Sequence, residues 1–201
     1  MKTYWANVEK DVPKIELSKK HIGNAKILLN RKELITLLPK NGNVCEIGVD
    51  EGSFSEQIIN VNEPKKLHLV DIWITKRYDK KKKSDVETKF NKHIADGKVE
   101  IHNGYSTEIF DQFSDNYFDW IYIDTDHTYE TTKKELLLFS SKVKSDGLIV
   151  GHDFIKGNWN GMVRYGVIEA VYEFCVNHNW EIIYLTMELG ENPSFAIKKI
   201  G

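Results

Sequence analysis

Short apolar runs alternate with amphipathic stretches along most of the chain, and this pattern predicts its elements. The apolar runs are rich in Val, Ile and Leu and are bounded by turn-forming or acidic residues, as buried strands are. They predict strands at 44–47, 67–71, 99–102, 118–123, 148–150, 181–186 and 195–200. The stretches between them predict helices at 30–38, 54–61, 84–95, 107–113, 128–143 and 167–176. We therefore expect an α/β fold: one mostly parallel seven-stranded sheet, covered on both faces, with a C-terminal antiparallel hairpin.

Composition then narrows the class of protein. With 201 residues, 41% of them hydrophobic and 29% charged, we expect a single soluble domain, with a helical or lid segment at 1–40 and a core at 41–201. The formal net charge of −2 gives no electrostatic argument for nucleic-acid or membrane binding. Cys45 and Cys175 lack metal-ligand spacing and are expected to be core thiols in a reducing compartment. With no apolar run resembling a signal peptide or a membrane span, we expect a cytoplasmic protein.

Two segments are less informative. Residues 1–29 are poorly periodic, and Trp5 and His21 within them are expected to pack against the body rather than to cover a pocket. Residues 75–84 carry a run of lysines, which indicates a solvated, mobile loop. The alternative is that these lysines attract an anionic acceptor to a nearby site.

The stretch 44–52 carries the first functional signal. A buried strand is followed by Gly48 and Gly52, and Ser53 and Glu56 then form a capping box that predicts a helix start. A strand, a glycine turn and a helix N-terminus bring bare backbone close to a ligand. The spacing from Glu46 is E-x-G-x-x-x-G rather than G-x-G-x-x-G, which favours a nucleoside without a pyrophosphate. The alternative is an ordinary strand-to-helix turn.

Polar residues at the ends of later strands add to this signal. Asp71 ends the next strand, about twenty residues on, where a carboxylate can accept hydrogen bonds from ribose hydroxyls; it could equally be a loop aspartate. Tyr105 and Ser106 follow the strand 99–102 and could contact an adenine, although Ser106 could instead cap the helix after it. In a parallel sheet these strand ends line one crevice.

Two polar clusters follow the strands 118–123 and 148–150. Asp124, His152 and Asp153 offer two carboxylates and an imidazole, a set that could hold Mg²⁺ or Mn²⁺ and lower the pKa of an acceptor hydroxyl. His127 could accept the proton, and Asp126 is the competing base. Alternatively, the aspartates cap the next helix and His127 is a packed, hydrogen-bonded residue.

The segments 123–130 (IDTDHTYE) and 146–153 (DGLIVGHD) carry a resemblance to a known family. Over roughly residues 40–200 the chain resembles the class I S-adenosylmethionine-dependent methyltransferases, which have a Rossmann-like, doubly wound fold. The paired segments more narrowly resemble a subgroup with the pattern IDGDHSYE…GGxIxxHD, which includes bacterial sugar and macrolide-sugar O-methyltransferases. Thr125 replaces a glycine of this pattern. His152 stands where some metal-dependent members carry a carboxylate, so a hard cation would be held less firmly.

The resemblance implies a role for each matching residue. Those implied to contact S-adenosylmethionine are Glu46, Gly48, Gly52, Asp71, Tyr105, Ser106 and Asp124. The positions of Asp124, His152 and Asp153 would supply or neighbour the metal ligands, and either His127 or Asp126 would be the base.

We therefore expect O-methylation of a small hydroxylated acceptor, such as a sugar or glycoconjugate, with Mg²⁺ or Mn²⁺ as the candidate assisting ion. Two alternatives stay open: a nicotinamide-dependent oxidoreductase, which would also use Asp71 on a ribose, and a non-catalytic nucleoside-binding module of the same fold. Neither nucleic acid nor a membrane is expected as a partner. The N-terminal segment or the hairpin edge could pair two copies into a homo-oligomer.

Overall fold

Strands that are buried on both faces form the middle of the molecule, as expected for a parallel sheet. The computed structural model describes residues 2–75, 79–158 and 161–201. Its strands are β1 (Lys26–Leu28), β2 (Asn43–Ile47), β3 (Lys66–Asp71), β4 (Val99–Asn103), β5 (Phe118–Ile123), β6 (Val143–Gly151), β7 (Gly157–Asn158), β8 (Val163–Arg164), β9 (Trp180–Thr186) and β10 (Phe195–Lys199). Its α-helices are α1 (Lys2–Asp11), α2 (Arg31–Leu37), α3 (Ser53–Gln57), α4 (Lys80–Lys89), α5 (Asn91–Ala95), α6 (Ser106–Ile109), α7 (Tyr129–Ser140) and α8 (Val167–His178).

The main sheet has eight strands in the order β1-β9-β10-β6-β5-β2-β3-β4. The pairs from β6 to β4 are parallel, and β10 runs antiparallel to both β6 and β9. This confirms the α/β fold, the Rossmann-like mostly parallel sheet and the C-terminal hairpin. The eighth strand, Lys26–Leu28, was not predicted; it is three residues long and pairs in parallel with β9 at the sheet edge. Such a short strand shows no usable alternation. The small β7–β8 hairpin forms a separate two-stranded sheet.

Two hydrophobic layers cover the sheet, one on each face. One layer packs helices α6, α7 and α8 against alternate strand residues that include Cys45 and Ile121. The other packs α2, α3 and α4 against the intervening residues, including Val44 and Trp120. Cys45 and Cys175 are both buried free thiols, as predicted. Full burial of one such aliphatic or aromatic side chain contributes roughly 1.5–3 kcal/mol, so the two layers dominate the favourable side of folding.

Several predicted helix boundaries are wrong for local reasons. The helix predicted from Ser84 begins at Lys80, because the Asp79 side chain accepts hydrogen bonds from the backbone N–H groups of Lys81 and Lys82. The lysines from 80 onward therefore lie on α4 rather than in a loop; residues 76–78 of the run are outside the described residues. Gly52, not Ser53, is the N-cap of α3, so the predicted capping box does not form there.

Other boundaries shift at helix ends. Helix α3 continues as a π-helical turn, Ile58–Asn62, in which the buried Asn62 amide donates to the Ile35 and Leu38 carbonyls at 3.2 Å. Helix α7 ends at Ser140 because Val143 already begins β6. The N-terminal segment forms α1, whose Trp5 indole N–H donates to the Met162 carbonyl at 3.4 Å. None of the described helices has the length and apolar character needed to cross a membrane.

Hydrogen bonds between backbone groups align the C-terminal ends of the parallel strands. The N–H of Gly48 donates to the Val70 carbonyl at 2.9 Å, and the N–H of Asp124 donates to the Ile47 carbonyl at 2.8 Å. His152 N–H donates to the Ile123 carbonyl at 3.1 Å. The residue that follows each of these strands is thereby bonded to the end of a neighbouring strand. The polar residues that follow β2, β3, β5 and β6 therefore meet at one edge of the sheet.

Gly48 sets how closely two of these ends approach. It adopts φ +89, and a Cβ there would lie 1.8 Å from the Asp124 carbonyl oxygen. We expect Gly48→Ala to lower the free energy of unfolding by roughly 2–4 kcal/mol, through both backbone strain and the clash. Gly97→Ala is the matched control: Gly97 has φ +71, but a Cβ there would meet none of the described residues within 4 Å. Its cost should be about 1 kcal/mol. Urea unfolding of both variants checks this, and equal losses would contradict it.

Candidate active site

The glycine turn after β2 is held by Asp71. The Oδ2 atom of Asp71 accepts hydrogen bonds from the backbone N–H groups of Val49 at 2.8 Å and Asp50 at 2.9 Å. Its Oδ1 atom has a longer contact, 3.3 Å, with the N–H of Trp73. The buried Trp73 indole donates to the Asp50 carbonyl at 2.9 Å, which closes the turn from the other side. Asp71 therefore lies at the predicted strand end, and one of its oxygens fixes the turn itself.

Gly52 brings the turn against helix α4. It adopts φ +73, and a Cβ there would lie 2.8 Å from the Phe90 ring. Only glycine fits a left-handed backbone at this distance without a shift of the ring. The two glycines thus allow different close contacts. The backbone of Asp124 packs against Gly48, and the side chains of Val86 and Phe90 pack against Gly52.

Glu46 lies beneath the turn and not on its surface. It is fully buried, and the hydroxyl of Ser55 donates to its Oε2 atom. Burial raises the pKa of Glu46 to about 8, and the hydrogen bond from Ser55 acts in the opposite direction. Glu46 therefore links the end of β2 to the first turn of α3, so its carboxyl group positions the backbone that a ligand would meet.

A second buried carboxyl group joins the ends of β4 and β5. Glu135 of α7 accepts hydrogen bonds from the hydroxyls of Ser106 at 2.6 Å and Thr125 at 2.9 Å. Burial raises its pKa to about 7. Glu135 was not predicted as a site residue, although its position beside Leu136, on the inward side of an amphipathic helix, is unusual for an acidic residue. Ser106 does not cap α6, because the N-cap is Tyr105.

Tyr105 stands at the mouth of a cleft on this side. Its side chain is 50% exposed. The cleft has a volume of about 480 Å³. Its lining residues are Tyr105, Ser106, Thr107, Asp126, Glu130, Thr131, Lys133, Lys134 and Leu137.

The structure brings together the three predicted metal-ligating residues. One donor atom from each of Asp124, His152 and Asp153 lies within 4.8 Å of the others. His152 Nδ1 is 3.6 Å from Asp124 Oδ2 and 3.6 Å from Asp153 Oδ1. None of the described residues forms a hydrogen bond with the buried Nε2 of His152. Burial raises the pKa of Asp124 to about 7, and the neighbouring carboxylate of Asp153 acts in the same direction.

The two predicted bases have different surroundings. His127, at φ +62, places its Nε2 atom 3.0 Å from Asp153 Oδ2, and its ring centroid is 4.7 Å from that of Tyr165. Asp126 instead accepts hydrogen bonds from Thr128 and Thr131 through both of its oxygens, at 2.8–2.9 Å. Asp126 therefore fixes the start of α7, and His127 faces the carboxylate cluster.

Arg31 and the loop 187–194 complete the cluster, and neither was predicted. Arg31 Nη1 lies 4.0 Å from Asp124 Oδ2, and Nη2 pairs with Glu191 at 2.5 Å. The amide of Asn192 donates to Asp153 Oδ1 at 2.5 Å. No sequence motif marks these positions; they arise because α2 and the β9–β10 hairpin fold over the ends of β5 and β6.

The buried carboxyl group of Glu46 generates a pH prediction. Because its pKa is about 8 in the folded chain and 4.5 is the ordinary value, the folded state binds a proton that the unfolded chain has released. Its contribution to stability is full below pH 4.5 and is lost as the pH rises through 8. Between pH 6.5 and 8.5 the free energy of unfolding should fall, and Glu46→Gln should reduce this fall by on the order of 1–2 kcal/mol.

Urea unfolding across this pH range measures the effect. Glu56→Gln is the matched control, because Glu56 is an exposed carboxylate on the same helix. Measurements above pH 6.5 avoid the opposite contribution of His68, whose pKa burial lowers to about 4. A pH profile unchanged by Glu46→Gln would contradict the assignment.

The fold of the chain is similar to those of several solved structures. A putative caffeoyl-CoA O-methyltransferase from Staphylococcus aureus is 19% identical, with a TM-score of 0.58 over 98% of this chain and 90% of that one. A putative rRNA-methylase from Clostridium thermocellum is 14% identical, with a TM-score of 0.62 over 85% and 93%. A putative methyltransferase from Streptococcus mutans, in complex with SAH, is 11% identical, with a TM-score of 0.60 over 86% and 100%.

At identities this low, the structural similarity shows the fold alone. The similar structures include proteins named for RNA acceptors and for small-molecule acceptors. No curated protein matches the chain. The model of a family described as a methyltransferase domain matches residues 45–154, which is more than half of the 201 residues and includes most of the turn and both polar clusters. The chain therefore belongs to this methyltransferase domain family and is an S-adenosylmethionine-dependent methyltransferase.

Proposed function

We propose that the chain transfers the methyl group of S-adenosylmethionine to a hydroxyl oxygen of a small acceptor, a sugar or a glycoconjugate. The observation that carries this proposal is the meeting of Asp124, His152 and Asp153 within 4.8 Å, with His127 3.0 Å from Asp153. A hydroxyl group is a poor nucleophile until its proton is removed, and this cluster offers groups for that task. Membership of the methyltransferase family sets aside the nicotinamide alternative.

The residues around the glycine turn fit the nucleoside. Gly48 and Gly52 leave bare backbone at the turn, and the left-handed Gly48 closes it against the end of β5. Asp71 would accept from ribose hydroxyls through the oxygen that has only the 3.3 Å contact with Trp73 N–H. Tyr105 would lie along the adenine, with Ser106 beside it, held by Glu135. Glu46 would act from below, by keeping the turn in place.

Asp124, His152 and Asp153 also fit a divalent cation. Their carboxylate oxygens suit Mg²⁺ and Mn²⁺ alike, and the imidazole favours Mn²⁺ over Mg²⁺. One donor atom from each of the three lies within 4.8 Å of the others. A bound cation would supply positive charge that lowers the pKa of an acceptor hydroxyl. Asn192 would orient Asp153 from outside this set.

His127 is the proposed base. Its Nε2 atom lies 3.0 Å from Asp153 Oδ2, and this contact would orient the imidazole beside the cluster. When bound, S-adenosylmethionine supplies the methyl group on its sulfonium sulfur. The acceptor oxygen would form a bond to the methyl carbon as the carbon–sulfur bond broke, its proton would pass to the His127 imidazole, and S-adenosylhomocysteine would leave. The chain's main contribution is alignment of the three reacting atoms.

Arg31 and the loop 187–194 are proposed to bound the acceptor pocket. Arg31 stacks on Phe54, with 4.3 Å between the guanidinium carbon and the ring centroid, and bonds to Glu191 across the cluster. These contacts would hold the loop over the ends of β5 and β6 and limit access of water to the reacting groups. The choice of a sugar rests on the resemblance of residues 123–130 and 146–153 to the sugar O-methyltransferase pattern.

An acceptor screen tests the proposal. The chain would be incubated with S-adenosylmethionine labelled in the methyl group, with Mn²⁺, and separately with sugars, nucleotide sugars, glycoconjugate extracts, tRNA and rRNA. We expect label in a carbohydrate fraction, as a methyl ether identified by mass spectrometry. Label confined to RNA would overturn the choice of acceptor class.

The cation proposal predicts separable binding events. Asp153→Asn should weaken Mn²⁺ binding by at least about tenfold, because it removes one carboxylate charge, and should leave S-adenosylhomocysteine affinity within about threefold. Asp146→Asn is the control, since Asp146 is an exposed acid on β6, the strand that Asp153 follows. Calorimetric titration of each ligand alone measures both affinities. If Asp153→Asn and Asp146→Asn bind Mn²⁺ equally, the cation does not use this cluster.

The assignment of the base predicts a difference between neighbouring residues. With an acceptor found by the screen, His127→Asn should lower kcat by roughly 10²–10⁴-fold, because the proton acceptor is lost. Asp126→Asn should stay within a few-fold of the parent, since asparagine can still accept hydrogen bonds at the start of α7. The opposite ranking of the two variants would make Asp126 the base.

A further inference from the structure

A second cluster of metal-ligating side chains lies on strands β3 and β4. It consists of His68, Glu100 and His102, which we call the β3–β4 histidine cluster. His68 lies opposite Glu100 in the parallel register, and His102 is two residues further along the same face. The cluster shares no residue with the turn or with the Asp124, His152 and Asp153 set.

The donor atoms of this cluster converge. His68 Nδ1 is 2.9 Å from His102 Nε2. Glu100 Oε2 is 3.9 Å from His68 Nδ1, and Glu100 Oε1 is 3.7 Å from His102 Nε2. Neighbouring donors around a tetrahedral zinc ion, with bonds of about 2.0–2.2 Å, are roughly 3.3 Å apart. The observed separations lie on either side of that value, so small side-chain shifts would seat one ion.

The surroundings hold both rings in the orientation that a metal site needs. The other nitrogen of His68, Nε2, is 3.1 Å from the Tyr117 hydroxyl. Metal-ligating histidines usually have such a partner on the nitrogen that faces away from the metal. Phe113 packs edge-on against both imidazoles, with centroid distances of 5.3 and 5.0 Å.

The charge state of the histidines also suits ligation. Burial, followed by the neighbouring His102, lowers the pKa of His68 to about 4, and burial likewise lowers that of His102. One of the two facing nitrogens carries the proton of their mutual hydrogen bond, so ligation of both rings would require that proton to move, for example by a tautomer shift. Lys66 Nζ, which pairs with Glu100 Oε2 at 2.5 Å, is the competing cation. Lys66 and Glu100 are both partly exposed, at 32% and 46%, so the pair can open toward solvent.

We propose that the β3–β4 histidine cluster binds one Zn²⁺ ion through His68, Glu100 and His102, with solvent as the remaining ligand. Two imidazoles and one carboxylate favour zinc over Mg²⁺ and Mn²⁺, which prefer oxygen donors. The bound ion replaces Lys66 on Glu100 and ties the edge strand β4 to β3. Because β4 leads directly to Tyr105 and Ser106, the ion stabilises the strand that carries the proposed adenine contacts.

Zinc binding should be tested in the full chain carrying Asp153→Asn, which disables the other cluster. Calorimetric titration with Zn²⁺ alone is expected to give a stoichiometry of one. In separate thermal unfolding measurements, the midpoint should rise with Zn²⁺ concentration. Addition of His102→Gln should weaken Zn²⁺ binding by roughly 100-fold or more. Glu100→Gln is a second test in case the His102 variant does not fold, because the Glu100 side chain is partly exposed. It should weaken Zn²⁺ binding by at least about tenfold.

His93→Gln is the matched control, because His93 lies on the neighbouring helix α5 outside the cluster. It should leave Zn²⁺ affinity unchanged. Co²⁺ serves as a spectroscopic probe: visible absorption typical of a four-coordinate site should appear in the Asp153→Asn chain and disappear with His102→Gln. Absence of Zn²⁺ binding in the Asp153→Asn chain, equal losses for His93→Gln and His102→Gln, or equal affinity for Mn²⁺ would each overturn the proposal. None of these outcomes bears on the methyl-transfer proposal.

Discussion

A line of backbone hydrogen bonds across the ends of the parallel strands determines where everything else can lie. The N–H groups of Gly48, Gly104, Asp124 and His152 each donate to the carbonyl of a residue at the end of a neighbouring strand, at 2.8–3.1 Å. Because these bonds join the ends of adjacent strands, the polar residues that follow the strands begin at the same height along the sheet edge. Asp71 adds the side-chain bonds that fix the turn after β2. The proposed cofactor, cation and base positions all depend on this alignment.

The same alignment explains why the fold could be predicted from the sequence. Buried strands such as 44–47 and 118–123 are recognisable as short, mostly apolar runs, and the C-terminal ends of parallel strands lie at one edge of the sheet. The convergence of Asp124, His152 and Asp153 therefore followed from their positions after two such runs, and the structure confirms it. The helix start at Lys80 did not follow, because the capping carboxylate of Asp79 competes with the equally plausible capping box at Ser84.

What the sequence could not reveal are contacts between segments far apart in the chain. Arg31 precedes Asp124 by more than ninety positions, and only the packing of α2 against the sheet brings them within 4.0 Å. The same applies to Asn192 and Asp153, which meet because the β9–β10 hairpin folds back over β6. Glu135 is an intermediate case. Its place on the inward side of α7 can be read from the sequence, but its two partners, Ser106 and Thr125, follow separate strands and are brought to it only by the fold.

The two clusters of potential metal ligands differ in chemistry. The Asp124, His152 and Asp153 set is rich in carboxylate and has Arg31 as its nearest counter-charge, so uncompensated negative charge dominates there. The β3–β4 histidine cluster has two imidazoles and one carboxylate, and burial among aromatic rings favours the neutral form of the imidazoles. One chain would thus offer a harder and a softer site on the same sheet, and ligand preference alone would direct different ions to them.

The central claim is that the aligned strand ends form one site for nucleoside and cation together. A crystal structure of the chain grown with S-adenosylhomocysteine and Mn²⁺ tests this claim most directly, with anomalous scattering to locate the metal. The account predicts the nucleoside against the 48–52 turn, with its ribose at Asp71, and Mn²⁺ bound by Asp124, His152 and Asp153. A nucleoside bound elsewhere, or Mn²⁺ with ligands from other residues while these three side chains keep their present contacts, would contradict it.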